Sequence, residues 1–249
     1  MHLRSCAVAA AACALLLAAG PEPAPAQKSP NPAGAQKSRN PAGRPPQVMM
    51  IPPEEPPPPY PPLDGAEAEA VRAAMYGYKT AVVRRDGAAA ARLVTRRSRD
   101  YFARMRDMAV FAPEAQVRAA PPMDRLVILT LRHRVPADEL RALTGDAVFA
   151  YTIDHGWVGS DAARRPPGRI EGEVFGEGDR AILREGFQDT QFVREDGAWR
   201  WDMLRLFEEA GAPKVPGGPG GMTEDEFLIS TLETSSGRKV SPSVWQPLP

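Results

Sequence analysis

A chain of 249 residues with 31 Lys and Arg against 31 Asp and Glu carries no net charge, which argues against a globally basic nucleic-acid binder, since nothing in the total would condense on phosphate. Its 28 prolines are in excess of the roughly 5% usual in proteins. Sixteen of them fall in residues 21–62 and only 6 in residues 63–212, so composition divides the molecule before any motif is read.

The first residues read as an address. Arg4 precedes the small and apolar run Cys6 to Ala18, which holds Leu15, Leu16 and Leu17. The run is too short for a bilayer span of about 20 residues and fits a signal-peptide core. Pro21 disfavours a cut after Gly20, whereas Ala24-Pro25-Ala26 offers small side chains at the positions a signal peptidase reads, so cleavage is expected between Ala26 and Gln27. An uncleaved anchor is the alternative; lipidation at Cys13 is disfavoured because Ala10 to Ala12 lacks the usual leucine. The expectation is export to the periplasm or beyond, with no transmembrane span after cleavage. Cys6 and Cys13 are the only cysteines and both precede the cut, so the mature chain has no disulfide framework, cysteine nucleophile or thiolate metal site.

Gln27 to Gly34 (QKSPNPAG) recurs nine residues on as Gln36 to Gly43 (QKSRNPAG), followed by the proline-dominated stretch to Pro62. Two copies make no solenoid. Proline fixes φ and removes donors, so residues 27–62 are expected to form an extended, disordered stalk without a core. A spacer is favoured over a ligand for an aromatic groove, because no clean Pro-x-x-P register with a flanking arginine appears.

The folded unit is expected over residues 63–212. Asp64 and Glu67 form a box-like helix start, and Val71, Ala74, Met75, Tyr78 and Val82 make one apolar stripe. Asp86-Gly87 breaks this helix, Ala88 to Val94 forms a short second one, and Thr95 caps a third in which Tyr101, Met105 and Met108 share a face. Beyond Pro121-Pro122 the period changes: Val127, Leu129, Leu131, His133 and Val135 alternate with other residues, predicting a strand. A short helix, Ala137 to Leu143, precedes a second predicted strand, Ala147 to Asp154, with Phe149, Tyr151, Ile153 and His155 on one parity. After a loop containing Arg164-Arg165-Pro166-Pro167 come predicted strands Ile170 to Phe175, Ala181 to Glu185, Phe187 to Arg194 and Ala198 to Phe207. Glu195-Asp196-Gly197 supplies the last hairpin turn.

This order, with the alanine-rich opening helix running into Arg85-Asp86-Gly87-Ala88 to Thr95 and the closing Phe192 to Trp201 (FVREDGAWRW), resembles the nuclear-transport-factor-2-like superfamily, which includes ketosteroid isomerase and the SnoaL-like proteins. It covers residues 64–208. The resemblance implies an α+β fold: a cone-shaped, curved antiparallel sheet packed on an N-terminal helical hairpin plus a short third helix. It also implies a pocket between sheet and helices, in which family enzymes carry out proton transfer or dehydration; fold alone does not carry that chemistry over.

Parity points His133 and His155 inward, and Tyr78 lies on the stripe of the first helix, so His133, His155 and Tyr78 are the candidate catalytic groups. Tyr78, His133, Tyr151, His155, Trp157 and Trp201 are the expected pocket lining. The competing reading, which is favoured, places both histidines at the rim. Asp154 reads as a turn residue, and neither it nor Asp202 lies on an apolar stripe that would raise its pKa. Two histidines in separate elements do not suggest a metal site. There is no glycine-rich phosphate loop and no nucleophile elbow, so no cofactor is expected.

The zero charge is an average: residues 63–170 hold 18 bases and 13 acids, residues 171–209 hold 5 bases and 11 acids. The arginine-rich helical end suits an anionic surface or the acidic face of a second copy, against the plainer reading of a solvated arginine-rich face; the family resemblance implies a homodimer through the sheet. Past the Pro/Gly linker 213–221, residues 222–249 carry more order than a loose tail needs. Thr223 and Glu226 form a capping box, Met222 and Phe227 a hydrophobic staple, and Phe227, Leu228, Ile229 and Leu232 an apolar helix ending near Ser235-Ser236-Gly237. With Trp245 near the end, this segment is expected either to fold back on its own domain or to dock on an envelope protein. The expected function is an exported cell-envelope binding or assembly module, with an isomerase or dehydratase acting on a small apolar substrate as the alternative.

Overall fold

The computed structural model describes residues 58–157, 168–186, 188–210 and 221–249. The signal segment 1–26, stalk residues 27–57, Arg164 to Pro167, Phe187 and linker residues 213–220 lie outside the described residues. Contacts divide the chain into Glu22–Pro59 and a unit that contains Tyr60–Pro249, and every described helix and strand belongs to the second.

The opening follows the sequence pattern except at its first cap: Asp64 makes no side-chain cap bond, and Glu67 accepts instead from the Trp199 indole at 3.1 Å. Helix α1 (Gly65–Val83) buries Val71, Ala74, Met75, Tyr78 and Val82, α2 (Gly87–Ala91) is capped by the Asp86 carboxylate accepting from the Ala89 amide, and α3 (Arg96–Phe111) is capped by Thr95 accepting from the Ser98 amide. Four further helices come next: α4 (Glu114–Ala119), α5 (Pro122–Arg134), α6 (Ala137–Ala142) and α7 (Gly145–Asp154).

Two of these correct the sequence expectation: residues 127–134 and 147–154 are helical, not strands. In α5 every residue from Leu126 to Arg132 is buried. The alternation of Val127, Leu129 and Leu131 is one reading of a segment that is buried on all sides, because α3 covers one face and the C-terminal segment another. Its buried Thr130 hydroxyl donates to the Leu126 carbonyl at 2.6 Å, the turn-back bond available within a helix. Helix α7 packs across α2 and α3, burying Val148, Phe149 and Thr152 at helical spacing. The order strand, short helix, strand expected from the resemblance is therefore helix, short helix, helix.

The sheet is a four-stranded antiparallel meander, β1 (Glu173–Glu177), β2 (Arg180–Glu185), β3 (Gln188–Glu195) and β4 (Ala198–Trp201), in sequence order. The fold is thus α+β. Val174 pairs with Leu183, and Ala181 and Trp201 pair with Phe192; these residues occupy the face against α1. The β3–β4 turn is the expected one: Asp196 and Gly197 both have positive φ, 52° and 76°, as a two-residue hairpin matched to strand twist requires. Single bridges flank both outer strands: Pro62 pairs with Phe175 along β1, and Val94 pairs with Trp201 at the end of β4. The Leu63 amide donates to Val174 O at 2.7 Å beside β1, and the Trp201 amide donates to Leu93 O at 2.8 Å beside β4.

The last predicted strand stops at Trp201, and the chain turns into α8 (Met203–Ala210), which buries Met203, Leu206 and Phe207 at i, i+3, i+4. The C-terminal segment forms α9 (Glu224–Ser236) and a 3-10 turn (Pro242–Trp245). The Thr223–Glu226 capping box is present, and Gly237 ends α9 with φ 66°. Leu228 and Leu232 are fully buried. The buried Arg125 guanidinium pairs with Asp225 at 2.7 Å and with Glu224. The Trp245 ring lies 4.0 Å from the Arg118 guanidinium. Buried Arg132 donates to three carbonyls at the end of α3, Met108, Ala109 and Ala112, and to Val244 in the tail. It thus caps a helix C-terminus and holds the tail at once. Among the described residues, no helix is long and apolar enough to cross a membrane.

Candidate functional site

The six residues expected to line one pocket fall into three groups. Tyr78 and Trp201 form an edge-to-face pair, ring centres 4.7 Å apart, between α1 and β4. The Tyr78 hydroxyl is buried without a hydrogen-bond partner among the described residues, and burial pushes its ionisation far above the ordinary tyrosine value. Tyr151, His155 and Trp157 form a second group at the end of α7. The imidazole stacks on the Tyr151 ring at 3.7 Å and donates from Nδ1 to the Tyr151 carbonyl at 2.9 Å, while Trp157 meets Tyr151 at 5.4 Å. His155 itself is exposed.

His133 stands apart from both groups. In the last turn of α5 its Nε2 lies 2.9 Å from the Ser236 hydroxyl, and desolvation, then Arg238 and Arg134, lower its pKa from 6.5. It is a tail contact. The two aspartates weighed with them hold backbone in place. Asp154 accepts from the Gly87 amide at 2.6 Å, joining α7 to the start of α2. Buried Asp202 accepts from Arg97 at 3.2 Å and from the Thr95 hydroxyl at 3.3 Å, locking the β4–α8 corner to the start of α3.

A different place has the shape of a site. A groove of about 330 Å³ opens between the middle of α3 (Tyr101, Arg104), the start of α5 (Pro121 to Asp124) and one face of α8 (Leu204, Phe207, Glu208). Aromatic packing fixes its floor: Tyr101 sits against Phe102 at 5.5 Å and Phe207 at 5.8 Å. The amphipathic spacing of α8 turns Phe207 inward and leaves Leu204 half-buried at the groove.

Polar groups converge at one end of that floor. The Tyr101 hydroxyl donates to Asp124 Oδ1 at 2.9 Å, and the Arg104 guanidinium lies 5.4 Å from the centre of the same ring. Burial, followed by the Asp124 carboxylate, raises the Tyr101 pKa well above its ordinary value while Arg104 opposes the shift. Tyr101 is therefore a fixed hydrogen-bond donor at neutral pH, not a proton shuttle. The Glu208 carboxylate is held by Arg97.

The groove offers apolar surface, two carboxylates, Asp124 and the Arg97-bound Glu208, and one cation, Arg104; its one hydroxyl bonded to a carboxylate is that of Tyr101, which burial keeps protonated. Among the described residues no group of three or more His, Cys, Asp or Glu is placed to hold a metal ion. Sequence reasoning puts Tyr101 on a buried helix face but misses the groove, because it makes Leu204 and Phe207 part of a strand and Asp124 a preamble to one. The available signal was Pro121-Pro122 two residues before Asp124, a helix start with proline at its first position. No family model, no curated protein and no solved structure matches this chain.

Proposed function

We propose that the protein is an exported cell-envelope module, carried on its proline-rich stalk, that binds a small amphipathic ligand in the groove between α3, α5 and α8. The observation that carries this reading is the groove itself: about 330 Å³, at the lower end of the roughly 300–1,000 Å³ typical of small-molecule sites, with mostly apolar walls and a few polar groups at one end. The enzymatic alternative needs His133, His155 and Tyr78 around one substrate, whereas these meet a tail serine, a neighbouring tyrosine and a closed aromatic pair. Kinship with the nuclear-transport-factor-2-like proteins has support from the opening helices and the closing meander alone. The packing of α9 and Trp245 on α4 and α5 supports a tail that docks on its own domain over one that awaits an envelope partner. A homodimer through the sheet would use its outer face, since bridges at Phe175 and Trp201 interrupt both edges.

The test is titration of the purified mature protein with 1-anilinonaphthalene-8-sulfonate. A saturable one-site fluorescence rise is expected, weakened by Leu204→Glu in the groove wall and by Arg104→Glu at its charged end, with thermal melts confirming that both variants fold. Absence of a saturable rise, or a rise indifferent to both substitutions, overturns the reading.

A further inference from the structure

The charges around the groove are not evenly satisfied. On α3, Arg97 pairs with Asp202 and Glu208, Arg99 with Asp146 at 3.0 Å, and Arg106 with Asp107 at 2.8 Å. On α5, Arg125, next to Asp124, pairs with Glu224 and Asp225. Arg104 and Asp124 differ from these neighbours: among the described residues neither is in an ion pair, although both meet the same tyrosine ring and line the same groove. A cation and an anion that face one cavity and do not neutralise each other are complementary to a molecule bearing both charges.

Resting on the reading of this groove as a binding site, we propose that its ligand is a small zwitterion with an apolar side chain, of the α-amino-acid or short-peptide class. Its carboxylate meets the Arg104 guanidinium, which lies over the face of the Tyr101 ring, and its ammonium meets the Asp124 carboxylate at the hydroxyl of that ring. The guanidinium lies 5.4 Å from the centre of the Tyr101 ring and Asp124 2.9 Å from its hydroxyl, a span of one side chain that a compact molecule can bridge when each charge contact reaches up to about 4 Å. The side chain lies on Tyr101, Phe207, Leu204 and Met123. The apolar lining favours a zwitterion that carries an apolar side chain. The Tyr101 hydroxyl, committed to Asp124, keeps that carboxylate oriented and leaves its second oxygen for the ligand.

Calorimetric titration with L-phenylalanine, phenylalaninamide and N-acetyl-L-phenylalanine separates the two charges. L-Phenylalanine is expected to bind tightest. Arg104→Gln should weaken L-phenylalanine and the N-acetyl compound by about fivefold or more and leave the amide unchanged, since the amide has no carboxylate to lose. Asp124→Asn should weaken L-phenylalanine and the amide and spare the N-acetyl compound. Glycyl-L-phenylalanine added to the series separates the sources: either order of affinity against L-phenylalanine fits the zwitterion, and the order shows whether a free amino acid or a peptide is preferred. Equal binding of all three phenylalanine probes, or loss of every probe alike in both variants, overturns the assignment. If the dye binds the groove and no phenylalanine probe does, the zwitterion assignment fails while the groove reading stands; if neither binds, both fail.

Discussion

Gly87→Ala pits local propensity against close packing. At the start of α2 alanine is the better helix former by about 0.5–1 kcal/mol. The backbone of Gly87 is in close approach to α7, however, and a Cβ there would lie 2.6 Å from the Ala150 carbonyl carbon, 2.7 Å from its Cα and closer still to its oxygen. These are backbone atoms, so no rotamer change relieves the clash and the two helices must part. Overpacking of this kind costs about 1–3 kcal/mol. Separation also stretches the 2.6 Å bond from the Gly87 amide to Asp154, a bond to a charged acceptor worth about 1.5–3 kcal/mol. The losses exceed the gain, and net destabilisation of about 2–5 kcal/mol is expected, or roughly 4–20 °C in melting temperature for a unit of this size. Thermal and urea denaturation followed by circular dichroism measure it. An unchanged or raised melting temperature would refute the packing of α7 on α2, and with it the helical assignment of residues 145–154.

Tyr78→Phe removes a buried hydroxyl that has no partner among the described residues, so stability should hold or rise by about 1 kcal/mol; a loss of that size in urea denaturation would mean that the hydroxyl is bonded. His133 has its folded-state pKa depressed below 6.5, so the unfolded chain binds the proton more readily. Its contribution therefore leaves stability unaffected above that value and lowers it as pH falls through the window beneath 6.5; melts from about pH 7.5 to 5 should show a smaller decline in His133→Gln. Trp245→Ala should cost about 2–4 kcal/mol, toward the lower end for a large aromatic because the tail can peel away rather than hold a cavity; a cost below about 0.5 kcal/mol would show that the ring is not docked. N-terminal sequencing of the protein recovered from its native host should begin at Gln27 under the proposed export, and a chain still starting at Met1 would overturn the proposed cleavage.

What the sequence disclosed was local. The α1 stripe, the Thr95 cap, the Asp196-Gly197 turn and the Thr223–Glu226 box each depend on residues close in the chain, and each is present. What it concealed was decided from far away. Leu126 to Arg132 lacks a helical polar face because the tail, a hundred residues later, supplies a second buried side, as the Arg125–Asp225 and Arg134–Ser235 bonds show. With the period erased, a two-residue alternation fits as well as a helical one, although Pro122 at the front and Arg132, His133 and Arg134 at the back are helix-end signals. The same error hides the candidate site. A single strand over residues 198–207 would put Leu204 and Phe207 on opposite faces, whereas in α8 both reach the groove that Tyr101 floors. Asp202, at the corner between β4 and α8, is buried because its carboxylate accepts from Thr95 and Arg97 and so locks that change of direction to the start of α3.

The central claim, that the groove between α3, α5 and α8 is where this protein binds its ligand, is tested most directly by a two-dimensional amide NMR titration with 1-anilinonaphthalene-8-sulfonate. The expected result is saturable shifts concentrated at Tyr101, Arg104, Met123, Leu204 and Phe207. Shifts centred instead on Tyr78 and Trp201, or on Tyr151, His155 and Trp157, would contradict it.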